Sequence, residues 1–475
     1  MRFQARLFIA SLFLVPAGGS ASFRAGAQDL RTPNALPRVN SQQEKVEALS
    51  RLWSEVKYNF VNIDRIAFDI DSLYRVSLDR VMQTTDDLQF YQELRRFIAS
   101  FGDGHTELLG RNGYRPYRED DYLNNWPVWL SAIGRHIYCT KVRDDYRHML
   151  GAEILSVEDI PVAEYMERYV LPLSPGSVEE SRWNYGAALL GRGYIGLAQD
   201  VSYRTPQGDV KSEILTFSHL ASMRDGQQWI TFEAHPVFNT EYPVGLRWRN
   251  GIAVVNIDTF NDIYKPELIA KIDSVMERLR GKARGLILDL RRNSGGSSLV
   301  ADHVQMYIDP SDSIRTPGWQ TRINSGYGRA QGNYRKEYAD FFDFTAYENH
   351  PSQKVPRNPE IKALTCPTVI LIGNSTGSAA EDLLVGIYEL PDRPLLVGSP
   401  SNGSTGAPLV IELPHGAYAR ICTRRLSFPF SGKSFVGAIE PDIRCENDIN
   451  DLLTGHDRTL EKGLELIQQK QTARP

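Results

Sequence analysis

The sequence predicts an α/β protein in which a small helical region precedes a largely parallel β-sheet covered by helices. In residues 44–101, apolar side chains recur at the spacing of amphipathic helices. In residues 248–388, a buried strand, a turn and a helix-forming segment follow one another three times. Strands that alternate with helices in this way are typical of a parallel sheet.

The N-terminus has the layout of a secretory signal peptide. Arg2 and Arg6 precede the apolar run 7–15, and Ala25-Gly26-Ala27 offers a small-residue cleavage site. We therefore predict that residues 1–27 are removed and that the mature protein is periplasmic or extracellular. A retained N-terminal anchor is the alternative interpretation. Because no second long apolar segment follows, no stable membrane insertion is expected after export.

Length, charge and cysteine content limit the possible functions. A chain of 475 residues holds about three domains. Its 54 basic and 58 acidic residues give a net charge of −4 without a basic block, so nucleic acid is not an expected partner. Four cysteines in an exported chain fit one or two disulfides, or buried free thiols. No Cys/His spacing is typical of a zinc site, and no metal or organic cofactor is expected.

Three regions are predicted after the signal peptide. Residues 28–110 form a helical domain, with helices from residue 44, at 70–82 and at 88–101. Residues 111–200 form a β-rich module, in which a strand at 153–157, a turn and a helix are typical of a unit that holds a peptide end beside a strand edge. Residues 201–475 form the α/β core.

Within the core, residues 248–260 are predicted to form one fully buried strand, and a helix at 266–280 follows. The second and third units are residues 285–308 and 367–388. The insertion 309–359 separates them and is interpreted as a lid, a subunit interface or ordinary loop packing. Its aromatic residues are Trp319, Tyr327, Tyr334, Tyr338, Phe341 and Phe342.

Two polar turns, at residues 293–296 and 375–378, follow predicted strands, and sites in open α/β sheets form at the carboxyl ends of strands. Ser378 directly precedes a helix-forming segment, whose positive end stabilises negative charge. It is therefore either a nucleophile or an N-cap, with Glu381 three residues later completing a capping box.

The glycines of the neighbouring turn favour the interpretation of Ser378 as a nucleophile. Gly295 and Gly296 let backbone N–H groups point outward, and together with the amide of Ala379 they predict a two-donor oxyanion hole. His105 lies on a glycine-rich loop at the end of a helix and is the candidate general base.

A competing interpretation places the nucleophile at Ser375. Residues 373–377 match the G-x-S-x-G turn of α/β-hydrolases, after a strand and before a helix. The protein would then be an esterase with an acid at Asp392 or Asp442 and a base at His415 or His456. This interpretation leaves the FGDGHT and NSGG segments without a role.

Five motifs in a fixed order point to a family. They are FGDGHTELL, GLILDLRRNSGG, GNSTGSAAEDL, GSPSNGSTG and GAIEPDI. Over residues 44–467 the chain resembles the C-terminal-processing (tail-specific) and tricorn-type serine peptidases. The resemblance implies a crotonase-like α/β core, a PDZ-like module around residues 153–164, Ser378 as nucleophile, and oxyanion amides from Gly295, Gly296 and Ala379.

The resemblance also separates two branches of that family. Tail-specific members carry a catalytic Lys where Ser404 stands here, and no Lys lies nearby. The tricorn-like branch uses a His and a late Glu, and His105 matches the His. Glu440 is the candidate acid by position and type, although an exposed strand-end carboxylate is the other interpretation of it. Gly104 stands where that branch has a Ser. The alternative acids are Glu381, Asp103 and Asp442.

The function that the resemblance implies is an exported serine endopeptidase acting on peptide or protein substrates through an acyl-enzyme. A non-catalytic peptide- or ligand-binding protein on the same fold is the alternative from another class. Such a protein would be expected to lack Ser378 or His105, and both are present. The sequence leaves the oligomeric state open.

Overall fold

The computed structural model describes residues 41–109, 123–194, 196–218, 229–232, 243–261, 263, 265–414 and 417–472. The predicted signal peptide lies outside these residues. The α-helices are α1 (Gln42–Asn59), α2 (Ile70–Gln83), α3 (Asp87–Ala99), α4 (Val162–Tyr165), α5 (Glu179–Leu190), α6 (Lys265–Leu279), α7 (Ser298–Ile308), α8 (Gly326–Gly332), α9 (Ala339–Phe342), α10 (Ala379–Ile387), α11 (Ile449–Thr454) and α12 (Arg458–Thr472).

The strands belong to several sheets. In chain order they are β1 (Glu107–Leu109), β2 (Leu123–Asn125), β3 (Val128–Ile133), β4 (His136–Arg143), β5 (Glu153–Val157), β6 (Ile160–Pro161), β7 (Arg192–Tyr194), β8 (Ala198–Arg204), β9 (Val210–Thr216), β10 (Trp229–Thr231), β11 (Val244–Arg249), β12 (Ile252–Ile257), β13 (Gly285–Asp289), β14 (Ser313–Arg315), β15 (Gly318–Arg322), β16 (Tyr347–His350), β17 (Lys354–Pro356), β18 (Thr368–Ile372), β19 (Leu395–Gly398), β20 (Pro408–Glu412), β21 (Tyr418–Cys422), β22 (Arg425–Ser427) and β23 (Ile443–Arg444).

The three N-terminal helices are present as predicted, and acceptor side chains cap each of them. Ser41 and Glu44 form a capping box at α1, while Asp69 and Asp86 cap α2 and α3. The apolar faces of these helices pack with residues from β20 and β21, including Ile411 and Ile421, in one hydrophobic core. The first helices are therefore joined to late parts of the chain by packing.

An antiparallel sheet of seven strands follows. Its central order is β10-β4-β5-β8-β9, with β3 paired to β4 and β6 paired to β5. Helix α5 packs against β3, and the core contains Trp126, Trp183 and Phe217. This sheet extends to Thr231, beyond residue 200, where the sequence places the end of the second region.

The central sheet has the order β11-β12-β13-β18-β19-β23. Within this sheet the pairs β12-β13, β13-β18, β18-β19 and β19-β23 are parallel, which confirms the predicted largely parallel sheet. Helices cover both faces: α6, α7 and α10 pack on one side, and α12 packs on the other through Leu460, Leu464 and Ile467. The carboxyl ends of β13 and β18 lie side by side, so the turns that follow them are neighbours.

The prediction of a single strand at 248–260 is wrong. Residues 244–257 form an antiparallel hairpin, because Asn250 and Gly251 take positive φ values of 50° and 77° and reverse the chain. Two residues with positive φ make the tight turn that matches the twist of paired strands, and Asn-Gly is its preferred sequence. The sheet therefore has an antiparallel edge strand, β11.

The insertion and the cysteines complete the fold. Residues 313–356 form small antiparallel pairs and the short helices α8 and α9, and within this insertion Arg322 donates to the carbonyl oxygen of Lys57 at 2.8 Å. All four cysteines are free thiols, with Cys139 and Cys422 buried. No helix within the described ranges is both long and apolar enough to cross a membrane.

Candidate active site

Ser378 lies between β18 and α10 in a backbone conformation that is rare for a residue with a side chain. Its φ and ψ are 52° and −125°, and such a conformation costs on the order of 1–3 kcal/mol. Two hydrogen bonds fix the turn: the Ser378 N–H donates to the carbonyl oxygen of Ser404 at 2.6 Å, and the Gly377 N–H donates to that of Asn293 at 3.0 Å. The Ser378 side chain makes no capping bond to α10, so the capping-box alternative is wrong.

The glycine turn after β13 touches Ser378. A methyl group on Gly295 would lie 2.4 Å from Cβ of Ser378 and 2.8 Å from the amide nitrogen of Ala379, so only glycine fits there. The Gly295 N–H donates to Oδ1 of Asn293 at 2.9 Å, which corrects the expectation that this amide is free to bind an oxyanion. Among the described residues, the amides of Gly296 and Ala379 have no hydrogen-bond acceptor. These two remain as candidate donors.

Strand pairing places His105 next to the loop that contacts Ser378. The strand that follows it, β1, pairs with β21, and Thr106 accepts a hydrogen bond from the N–H of Cys422 at 3.0 Å. His105 is 5% exposed, and its Nδ1 is hydrogen-bonded to Oγ of Ser404. Ser404 thus contacts both Ser378, through its carbonyl oxygen, and His105, through its hydroxyl.

The environment of His105 keeps its imidazole neutral. Burial, together with the nearby positive charges of Arg420 and Arg424, lowers the pKa of His105 from 6.5 to about 3. A neutral imidazole can accept a proton, as a general base must. Asp103 holds the loop, because its Oδ1 accepts the His105 N–H at 2.9 Å, and burial raises the pKa of this carboxyl group to about 6.

Glu381 is fully buried beneath the loop that carries Ser404. Its carboxylate accepts from Oγ of Ser401 at 2.5 Å, from the Gly403 N–H at 2.8 Å and from the Ser404 N–H at 3.0 Å. Burial raises the pKa of Glu381 to about 7, although the three hydrogen bonds oppose this rise. Glu381 therefore fixes the backbone that in turn positions His105 and Ser378.

Glu440 lies elsewhere. Its side chain is 60% exposed and forms an ion pair with Arg444 at 2.9 Å, so it is not hydrogen-bonded to His105. This position corrects the expectation that Glu440 is the acid, because the segment before β23 turns the carboxylate to solvent. Asp442, another alternative, is held by Arg393 at 2.7 Å. Of the four carboxylates considered, Asp103 and Glu381 hold the loops of His105 and Ser404.

Among the described residues, no triad is assembled around Ser375. Ser375 is exposed on its turn, and Asp442 is engaged with Arg393. His456 is paired with Asp451 at 2.7 Å, and His415 lies outside the described residues. The described hydrogen bonds give Ser375 no histidine or carboxylate partner.

Sequence reasoning missed the roles of Ser404 and Asn293 as positioning residues. The signal for Ser404 was a small polar residue at the position of the Lys of tail-specific peptidases. Asn293 is fully buried, donates to the carbonyl oxygen of Ile257 at 3.0 Å and accepts from Gly295. Its only signal was its place in the NSGG turn.

Part of the chain matches the model of a known protein family. Residues 251–445 match the family model described as Peptidase family S41. The matched segment is less than half of the chain and contains the two turns, Ser378 and the 401–404 loop, whereas His105 precedes it.

Two curated proteins and one solved structure are similar over longer stretches. The chain is 26% identical over 219 residues to a carboxy-terminal-processing protease of Bartonella bacilliformis, covering 46% of this chain and 44% of that protein. It is 24% identical over 200 residues to the carboxy-terminal processing protease CtpA of Bacillus subtilis, covering 42% and 35%. The chain thus spans less than half the length of these relatives.

The crystal structure of mature CPAF matches with a TM-score of 0.67 at 14% identity, over 90% of this chain and 97% of that one. This match shows a shared fold. The family model and the two relatives support the predicted relation to C-terminal-processing peptidases.

Proposed function

We propose that the protein is a serine-type endopeptidase in which Ser378 is the nucleophile and His105 the general base. The observation that carries the proposal is the double contact of Ser404, which holds the amide of Ser378 at 2.6 Å and hydrogen-bonds the ring of His105. The contact thus connects a strained serine with a buried, neutral histidine, and among the described residues the amides of Gly296 and Ala379 have no hydrogen-bond acceptor. These are the parts that acyl transfer requires.

The proposed reaction requires one particular tautomer of His105. For His105 to act as a base through Nε2, Nδ1 must carry the hydrogen and donate it to Oγ of Ser404. Nε2 takes the hydroxyl proton of Ser378 as Oγ attacks the substrate carbonyl, and the amides of Gly296 and Ala379 stabilise the oxyanion. The imidazolium then protonates the leaving amine, the C–N bond breaks, and water hydrolyses the acyl-enzyme by the reverse proton path.

Glu381 serves as the buried carboxylate of the site in this proposal. It acts through the Ser404 backbone and does not touch the imidazole, so it is a positioning residue. The site therefore keeps the His and Glu types of the tricorn-like branch, with the carboxylate supplied from helix α10 in place of Glu440.

The substrate class and the place of action are also proposals. We infer that peptide or protein substrates are bound in extended form beside the seven-stranded, PDZ-like sheet, and that the protein is exported by its N-terminal signal. Both relatives carry names for carboxy-terminal processing, which supports substrates that are cut near their C-terminal ends. N-terminal sequencing of the protein expressed with residues 1–27 tests export, and an intact Met1 would contradict it.

A hydrolysis assay with internally quenched peptides tests the proposed function. Wild-type protein should cleave, whereas Ser378→Ala and His105→Ala should lose at least about 1,000-fold in kcat. Ser375→Ala is the matched control, because it removes a hydroxyl three residues away on the same turn, and it should retain full activity. Loss of activity in Ser375→Ala alone would favour the esterase, and no hydrolysis by folded wild-type protein would favour a binding protein.

A further inference from the structure

A cleft of about 160 Å³ opens directly beside the His105 loop. Asp103, Gly403 and Thr405 line it, and each lies within two residues of His105 or Ser404. A cavity of about 150 Å³ holds a guest the size of benzene, so this cleft accommodates one side chain or one chain end. Whatever occupies it lies next to the proposed reaction centre.

The lining of the cleft carries an excess of positive charge. Arg65 is exposed, and within the described part of the chain its guanidinium has no ion-pair or hydrogen-bond partner. Arg424 approaches Asp382 at 3.3 Å, but its buried Nε has no hydrogen-bond partner. Arg425 is already neutralised, since it is paired with Asp64 at 2.9 Å.

The negative charge in the cleft is small by comparison. Asp103 is the one acidic residue of the lining, and its carboxylate is used by the N–H of His105 and, at 3.4 Å, by Nδ2 of Asn62. Buried apolar side chains, including Phe60 and Phe435, form part of the lining. Two incompletely paired guanidinium groups beside apolar walls suit a carboxylate, which accepts from both with charge-assisted hydrogen bonds.

We propose that this cleft is a specificity subsite in which Arg65 and Arg424 bind a carboxylate group of the substrate. The inference rests on the proposed peptidase function, because the ligand is part of the peptide that is cut. The carboxylate has two possible sources: an acidic side chain near the scissile bond, or the free carboxylate at the C-terminus of the substrate. Both have the same chemistry, and the experiment below separates them.

Binding a carboxylate here should affect the chemical step as well as affinity. The positive charges of Arg420 and Arg424 disfavour the imidazolium that forms when His105 takes the proton of Ser378. A negative charge seated against Arg424 offsets that effect during the transition state. The bound carboxylate should therefore raise kcat, and uniform binding alone would change only KM.

Paired peptides and paired variants test the subsite. One series scans Glu against its neutral isostere Gln at each position around the cleavage site, and a second compares a free C-terminal carboxylate with its amide. In wild-type protein one pair should differ by at least about tenfold in kcat/KM, and the pair that responds identifies the source. Arg65→Gln and Arg424→Gln should bring that ratio close to one, whereas Arg51→Gln, an exposed arginine of α1, should leave it unchanged.

Arg65→Gln is the simpler variant because its guanidinium has no partner among the described residues, and Arg424→Gln is an independent check. A ratio near one in wild-type protein, or a ratio that both variants leave unchanged, would overturn the subsite. Hydrolysis without any carboxylate preference would contradict the subsite but would still support the peptidase function.

A binding measurement keeps the two claims separate if no hydrolysis is found. Fluorescence anisotropy with Ser378→Ala should show about tenfold tighter binding of the acidic peptide than of its neutral isostere. The double variant Ser378→Ala/Arg65→Gln should lose that difference. Selective binding without hydrolysis by the wild type would support the subsite and contradict the peptidase, and equal binding of both peptides would overturn the subsite.

Discussion

The hydroxyl of Ser404 is expected to be required for efficient turnover, although it takes no part in covalent chemistry. Ser404→Ala leaves the backbone carbonyl that holds the Ser378 amide and removes only the group that binds Nδ1 of His105. His105 is 5% exposed, so its Nδ1–H would be buried without an acceptor. A buried unpaired donor costs about 1–3 kcal/mol, and more when the group becomes charged, as the imidazolium does.

If that cost falls on the transition state, kcat decreases by about 5- to 150-fold. KM for the peptide should change less than about twofold, because Ser404 does not contact the substrate. Steady-state kinetics with one quenched peptide measures both constants, and thermal unfolding of the same sample checks that the fold is intact. The rate of Ser378 labelling by a fluorophosphonate should fall in parallel, since it depends on the same base.

Two outcomes would contradict this role of Ser404. A kcat within about twofold of wild type would show that the contact between Ser404 and His105 does not position the base. An unchanged labelling rate together with a raised KM would assign Ser404 to substrate binding. Ser375→Ala removes a hydroxyl that has no histidine partner among the described residues, so it is the matched control and should behave as wild type.

Gly295→Ala should reduce kcat by at least about 100-fold, because its methyl group would lie 2.4 Å from Cβ of Ser378. Gly208→Ala is the control and should keep full activity. Gly208 has nearly the same φ as Gly295 (96° against 97°), but a methyl group there would have no atom within 4 Å. Equal activity of these two variants would contradict the packing of the glycine turn on the nucleophile. The raised pKa of Glu381 should make the free energy of unfolding depend on pH. The pKa of this carboxyl group is about 7 in the folded protein, above the ordinary 4.5. Its stabilising contribution is therefore full below pH 4.5 and is lost as the pH rises through 7, which amounts to about 3 kcal/mol in all. Denaturant unfolding measures this effect. Between pH 4.5 and pH 8, the free energy of unfolding of the wild type should fall by about 3 kcal/mol relative to that of Glu381→Gln. A difference between the two proteins that does not change with pH would contradict the burial of an ionisable carboxyl group.

Local sequence patterns were sufficient for the elements and for the turns that follow the strands. The apolar runs at 285–289 and 368–372 are short, unbroken and followed by polar turns, and this combination is typical of inner parallel strands. Their adjacency in the sheet then brings the turns of Gly295 and Ser378 together. The hairpin at Asn250-Gly251 was not predicted, because the apolar residues were given more weight than the turn dipeptide that interrupts them.

Contacts between distant segments could not be predicted in this way. Ser404 and His105 are 299 residues apart, and the pairing of β1 with β21 brings them together. Glu440 was predicted as the acid from its place in a motif, but its carboxylate forms an ion pair with Arg444. Glu381 suits a capping box by spacing alone, yet burial under the 401–404 loop gives it three other donors. In each case tertiary packing decides which partner a polar side chain finds.

Covalent labelling with a fluorophosphonate, followed by peptide mapping, identifies the nucleophile directly. We expect the label on Ser378 in wild-type protein and in Ser375→Ala, and no label in His105→Ala or Ser378→Ala. Label on Ser375, or label on Ser378 that persists in His105→Ala, would contradict a serine nucleophile activated by His105.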